Sequence, residues 1–286
     1  MTDITTSGTF LLGDRSVCRI GYGAMQLAGK GVFGPPADKN EAIAVLREAV
    51  ASGVNHIDTS DFYGPHITNQ LIKEALHPYS AELVIVTKVG AKRGTDGSWD
   101  RADTPDELVR AVHDNLKNLC LDALDVVNVR SMHSASEPSE GTLEPQITAI
   151  ADLQRKGLVK HIGVSNVTPT QIAEARKLVP IVCVQNHYNL AHRTDDAVIE
   201  QLGKDDIAYV PYFPLGGFTP LQSTILTTVA NGLGITPMQT ALAWLLRRAP
   251  NILAIPGTSS RSHLRENLAA ARIELPAGAL KSLNQI

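Results

Sequence analysis

The chain is poor in cysteine and in net charge, and it has neither a long apolar run nor a glycine-rich dinucleotide turn. Its three cysteines, Cys18, Cys120 and Cys183, form no CxxC pair and no other metal-ligand spacing. That excludes a disulfide framework and a structural zinc site, and they read as small buried apolar residues in a reducing compartment. His77, His113, His161, His187 and His192 likewise show no metal-like spacing, so no metal is expected. No uncharged apolar run approaches the roughly 18 residues that a membrane span needs. The opening stretch, MTDITTSGTF, has neither a basic segment nor an apolar core, so no secretion signal is expected. A formal net charge of −3 leaves no global basic field for nucleic acid or an anionic membrane surface. The expectation is a soluble cytoplasmic protein whose partner is neither nucleic acid nor membrane.

What is present is an alternation of short apolar runs with longer amphipathic ones, in a chain of 286 residues that can bury a substantial core. Candidate strands are 19–24, 55–58, 83–88, 125–130, 160–165, 181–185, 207–212 and 252–256. Their centres are rich in β-branched residues, as buried parallel strands should be. Helices between them are announced by Thr104-Pro105-Asp106-Glu107, Thr168-Pro169-Thr170-Gln171 and Thr236-Pro237-Met238-Gln239. Each places a capping threonine, a first-turn proline and an acid or amide at the third position. Leu108, Val112, Leu116 and Leu119 then recur at helical spacing, and Gly157 and Gly203 stand where helix ends are expected. Eight β-then-α units predict a single-domain α/β fold over residues 1–286, a (β/α)8 TIM barrel. A doubly wound sheet would need a GxGxxG turn after its first strand, and none is there. GTFLLGDRSV reads as an N-terminal β-hairpin capping the barrel bottom, and 214–234 as a long functional loop.

The chemistry sits at strand ends, where such barrels display it. Asp58 and Tyr63 lie in HIDTSDFYG, and Lys88 ends the apolar run LVIVTK. A cation beside a phenol pulls the phenol's pKa down, and an aspartate can hold the cation in place. The trio reads as the proton-donating machinery of a carbonyl reductase. Taken singly, a strand-end cap, a loop aromatic and a solvated lysine would explain the same residues. Trp99 falls in the loop after the third strand, flanked by Gly94 and Gly97, where it could wall a substrate site. Trp244 reads as core, His56 as a satisfied core residue, and His66 as lining either the pocket mouth or the surface.

Six motifs in order, DTSDFYG, TKVG, KHIGVSN, VQNHYNL, PYFPLGG and IPGTSSRSHLREN, resemble those of the aldo-keto reductase superfamily over nearly the whole chain. GYGAMQLAGKGVFGPP and NHIDTSDFYGPHITNQLIKEAL further resemble a bacterial subgroup that reduces pyridoxal with NADPH. The resemblance implies hydride transfer from a nicotinamide to a carbonyl carbon, with Tyr63 as proton donor, Lys88 tuning it and Asp58 pairing with Lys88. It implies Gly23, Ala24, Met25, Asp58, Ser165, Asn166 and Gln185 around the nicotinamide, Tyr212 stacked on the ring, and Phe213, Leu215 and Gly216 along the pyrophosphate. IPGTSSRSHLREN implies phosphate and adenine contacts from Gly257, Thr258, Ser259, Arg261, His263, Glu266 and Asn267. The run of small and hydroxyl residues into a helix start suits an anion, and Arg265 adds positive potential. Many NADPH-using relatives carry lysine at the position of Gly257 and arginine at that of His263. NADPH is therefore the expected cofactor and NADH a possible one, with Arg261 supplying the missing charge. Where the family usually has a histidine after its fourth strand, this chain has Arg130, and His133 follows three residues later. Strand alternation favours Arg130, and a bulge would favour His133. The expected substrate is a small aldehyde, pyridoxal first, for a monomer or weak homo-oligomer. A broad aldehyde reductase and a nucleotide-binding redox-sensing subunit are the alternatives.

Overall fold

The computed structural model describes residues 4–286; the first three residues of the stretch read for a targeting signal lie outside them. In chain order the strands and α-helices are β1 (Thr9–Leu12), β2 (Arg15–Cys18), β3 (Tyr22–Gly23), α1 (Lys39–Ala51), β4 (His56–Asp58), α2 (Ile67–Leu76), β5 (Val84–Arg93), β6 (Trp99–Ala102), α3 (Pro105–Leu119) and β7 (Leu124–Arg130). Then follow α4 (Glu144–Arg155), β8 (Val159–Ser165), α5 (Pro169–Leu178), β9 (Ile181–Gln185), α6 (Asp196–Lys204), β10 (Ala208–Tyr209), α7 (Thr224–Leu233), α8 (Pro237–Arg248), α9 (Arg261–Ala269) and α10 (Ala277–Leu283). Seven strands pair in parallel in the order β3-β4-β5-β7-β8-β9-β10. The eighth side of the barrel is a run of single bridges, Tyr209 to Ile252, Ile20 to Ala254 and Gly23 to Gly257. The fold is a (β/α)8 barrel. Its closing seam is tight at the mouth: a Cβ on Gly23 would lie 2.5 Å from the Ile255 oxygen, and one on Gly257 2.6 Å from the Gly23 oxygen. Only glycine allows the two backbones to approach this closely.

The barrel interior is filled by Val84, Val86, Val126, Cys183, Ala208, Val210, Leu253 and Ile255, with Leu12 and Val17 of the β1–β2 hairpin packed onto them. The hairpin therefore plugs one end, as the sequence suggested. A larger apolar layer joins the outer face of the sheet to the helices, including Leu108, Val112 and Leu119 of α3 and Trp244 of α8. Burying one such leucine contributes about 1.5–3 kcal/mol. The capping boxes form at Thr104, Thr168 and Thr236, each hydroxyl accepting from the N–H three residues on.

Four local expectations change. Gly203 lies inside α6, and its missing Cβ leaves room for the Asn251 side chain, 3.2 Å from that position. Residues 214–234 are not all loop, because α7 occupies Thr224–Leu233. β5 does not stop at Lys88. Gly90 takes φ 113° and the strand runs beyond the barrel rim, where Trp99 lies in β6, antiparallel to it. His56 is buried, but neither ring nitrogen has a partner among the described residues, and burial pushes its pKa down to about 4.

Candidate active site

β4 and β5 pair with Asp58 opposite Val86, which sets Asp58 and Lys88 near the same rim of the barrel. Lys88 Nζ donates to Asp58 Oδ1 at 2.6 Å and to the Thr59 oxygen at 2.9 Å. Tyr63 sits in the turn after β4, whose shape is held by bonds from Tyr63 N to Ser60 O and from His66 N to Asp61 O. The ammonium lies 5.3 Å from the centre of the Tyr63 ring. All three residues are at least nine-tenths buried. Burial opposes the Lys88 charge, but Asp58 and Tyr63 outweigh it, and the lysine pKa is raised. The tyrosine corrects the sequence reading. Burial, joined by the Asp58 charge, raises its pKa by more than Lys88 and Arg130 lower it, so the net shift is upward. The phenol is a protonated group at neutral pH, not a phenolate.

A cavity opens over the trio. Of the residues singled out in sequence, Gly23, Met25, Asp58, Tyr63, Lys88, Tyr212, Phe213, Leu215 and Gly257 line it. Gly217, beside Gly216 in PYFPLGG, lines it as the sequence suggested, and Gln26, Pro214, Ile255 and Pro256 line it too and were not foreseen. Gln26 packs against the Gly23–Gly257 seam, its Cγ 3.5 Å from where a Gly257 Cβ would lie, a contact that its local sequence does not signal. Ala24 is buried in the short turn just after β3.

At the β8 and β9 ends the polar groups divide into two kinds. Gln185 Nε2 donates to Asp58 Oδ2 at 2.8 Å, yet Gln185 Oε1 and the Ser165 hydroxyl are buried without a partner among the described residues. Leaving such groups unpaired costs about 1–3 kcal/mol each. A primary amide, which both donates and accepts, would satisfy them. Asn166 is committed: at φ 57° it donates to the Ser131 and Ser134 oxygens and accepts from the Tyr212 hydroxyl. Tyr212 stacks on His187, with planes 11° apart, and His187 on His192. Glu137, His187 and His192 thus form a cluster that the sequence spacing did not suggest. The two imidazoles lie face to face, 13° from parallel, which does not aim their in-plane lone pairs at one point.

Beyond Phe213, itself at φ 56°, Gly216 takes φ 97°. The turn folds back with Leu221 N on Leu215 O at 3.1 Å. Just past Gly257 of the cavity lining, Thr258 is buried and its hydroxyl accepts from Ser260 N, while Ser259 and His263 are exposed. Arg261 is not a free cation. Its N–H and its guanidinium both bind the Glu41 carboxylate of α1. Arg265 pairs with Glu48. Glu266 accepts from Thr236, the cap of α8, and Asn267 is buried.

The model of the Aldo/keto reductase family matches residues 19–286. The chain belongs to the aldo/keto reductase family. Pyridoxine 4-dehydrogenase of Escherichia coli is 66% identical over 98% of this chain and 99% of its own length. An uncharacterized oxidoreductase of Schizosaccharomyces pombe is 36% identical, covering 99% and 91%. Among solved structures, a thermostable aldo-keto reductase in complex with the inhibitor epalrestat aligns with a TM-score of 0.81 at 31% identity, over 97% of this chain and 98% of its own. No helix of this family member, among the described residues, is long and apolar enough to cross a membrane.

Within this reductase fold, Arg130 and His133 part company. Arg130 closes β7 and lies 5.8 Å from the Tyr212 ring centre, with one N–H on the Ala135 oxygen, and its charge acts on Tyr63. Met132 packs with Phe62 and Tyr63. His133 stays in the β7–α4 loop with its ring on the Thr142 oxygen, and neither it nor Arg130 is among the cavity's lining residues. His66 binds Asp61, which also accepts from Asn69 and Asn118, and so helps hold the Tyr63 turn.

Proposed function

We propose that this chain is an NADPH-dependent aldehyde reductase that converts pyridoxal to pyridoxine and, in reverse, oxidises pyridoxine. The observation that carries the reading is the buried Lys88–Asp58 pair beneath Tyr63, in a chain 66% identical to a pyridoxine 4-dehydrogenase. Bound NADPH supplies the hydride. Ser165 and Gln185 would hold its carboxamide, Tyr212 the nicotinamide ring, the 213–217 turn the pyrophosphate, and the start of α9 the 2′-phosphate of the adenosine ribose. Tyr63 gives its proton to the carbonyl oxygen. Lys88, fixed by Asp58, stabilises the phenolate that remains. Arg130 polarises the carbonyl or receives the ionised ring oxygen of pyridoxal, since a guanidinium presents several donors and keeps its charge. The enzyme works in the cytoplasm as a monomer or weak homo-oligomer, on a small molecule and not on nucleic acid.

Purified protein should oxidise NADPH when pyridoxal is added. Equal efficiency with benzaldehyde would replace a dedicated substrate by a broad aldehyde reductase. Cofactor binding without turnover on any aldehyde would favour a redox sensor.

Two predictions belong here. Arg130→Ala should lower kcat/KM for pyridoxal about 100-fold, the scale of one lost charge-stabilising donor. His133→Ala should stay within threefold, and steady-state kinetics of the pair with the opposite ranking would exchange their roles. Arg261→Ala should lower the ratio of NADPH to NADH efficiency about tenfold, because one charged contact to phosphate is worth roughly 1–2 kcal/mol. An unchanged ratio would assign Arg261 only to its Glu41 contact.

A further inference from the structure

On the substrate side of the barrel, Arg93 is held by four backbone oxygens and two aromatic rings. Arg93, the last residue of β5, donates from Nη1 to Val32 O at 2.7 Å. It donates from Nη2 to Gly31 O at 3.0 Å and to Gly97 O at 2.6 Å, and from Nε to Ser98 O at 3.3 Å. Its guanidinium lies 4.0 Å from the Trp99 ring centre and 5.5 Å from that of Phe33. No carboxylate is within ion-pair distance among the described residues. A guanidinium matches this task because it is planar, forked and stacks on aromatic faces.

We propose that Arg93 is a positioning residue that clasps the loop after β3 to the β5–β6 hairpin and thereby fixes the apolar wall for an aromatic aldehyde. The loop it holds is unusual backbone: Gly31, Val32 and Gly34 all have positive φ, and Val32 is β-branched, a conformation that surroundings must impose. The Val32 oxygen accepts from Arg93 and also from the N–H of Gly64, the residue after Tyr63. The Gly34 N–H donates to the Gly64 oxygen. Arg93 is thus two hydrogen bonds from the Tyr63 turn. The wall itself comprises Ala28, Val32, Phe62, Ala91 and Met132 around Tyr63, with Trp99 packed against it. Phe62 meets Tyr63 and Trp99 edge to face, at 5.4 and 5.7 Å. Releasing the clasp frees both sides of the wall at once. An aldehyde large enough to lie on the wall loses contact, whereas a three-carbon aldehyde that reaches only Tyr63 does not.

The proposal rests on the reductase reading, and its test separates the two. Arg93→Ala should raise KM for pyridoxal at least tenfold, leave KM for propanal within threefold and leave NADPH affinity within twofold. Arg93→Lys should fall between, since one ammonium cannot fork to four carbonyls in two segments. Acrylamide should quench more of the emission in Arg93→Ala than in wild type. The change reports Trp99, because the chain's other tryptophan, Trp244, is buried. Trp99→Leu, which leaves the clasp's hydrogen bonds in place, should repeat the selective rise for pyridoxal if Arg93→Ala does not fold. Equal KM changes for both aldehydes, or unchanged quenching in a folded Arg93→Ala protein, would overturn the proposal. A wild type that turns over neither aldehyde would sink the reductase reading instead, while the quenching comparison would still decide the clasp.

Discussion

Tyr63→Phe is expected to cut pyridoxal turnover about 1,000-fold while leaving NADPH affinity within a factor of two. The substitution keeps the ring that packs edge-on against Phe62 and removes only the hydroxyl, so what is lost is the proton donor and little else. Positioned general acids are worth about 10²–10⁴ in rate. The measurement is single-turnover reduction of pyridoxal beside fluorescence titration with NADPH. Retained turnover would move the donor elsewhere, and a matching loss of cofactor affinity would make Tyr63 a binding residue. The pH dependence follows from the sign of the shift. Burial raises the Tyr63 pKa above its ordinary value near 10, so the acid form persists throughout the neutral and mildly alkaline range. Reduction should therefore show no loss attributable to Tyr63 between pH 7 and 9. A phenol with a depressed pKa, as the sequence suggested, would lose activity inside that window.

Why that shift was misjudged shows what a sequence hides. The positions of Asp58, Tyr63 and Lys88 were legible because strand ends are marked by apolar runs, and a barrel collects its strand ends at one rim. The balance between a neighbouring cation and desolvation was not, since burial of a loop tyrosine depends on what folds over it. The same limit applies elsewhere. Capping boxes at Thr104, Thr168 and Thr236 are local and were read correctly. The β5–β6 pairing that takes Trp99 out of a loop depends on a strand outrunning its barrel. Arg261 looked like a phosphate ligand from its neighbours in sequence. Glu41, which binds it, lies 220 residues away. Arg93 drew no notice at all, because nothing in its local sequence shows that four carbonyls converge on it.

Asp58→Asn is expected to destabilise the fold by about 3–5 kcal/mol and to abolish most activity. Its carboxylate balances the buried Lys88 ammonium, and removing one partner of such a pair leaves an unpaired charge in a low-dielectric site. For a chain of this size the loss corresponds to a melting temperature lower by roughly 10 °C. Both numbers are read from thermal and denaturant unfolding. The pH profile supplies a signature that ordinary packing damage would not give. In the wild type the folded Lys88 pKa is raised. Its contribution is fully present below the unfolded lysine value near 10.4 and is lost only as pH rises through the folded value. In Asp58→Asn, desolvation acts unopposed by the carboxylate and pushes the folded lysine pKa below the unfolded one. The unfolded state then binds more protons, so the variant should gain stability between pH 7 and 10 while the Lys88 contribution to wild type stays flat. A parallel profile for the two proteins would mean that Lys88 does not depend on Asp58 for its charge. Replacing both partners with apolar residues, Asp58→Leu with Lys88→Met, should recover much of the stability, because no buried charge remains. It should recover none of the turnover, since the phenolate left by proton transfer would have no cation beside it. That split would show the pair to be retained for chemistry at a rim where an apolar pair would fold as well.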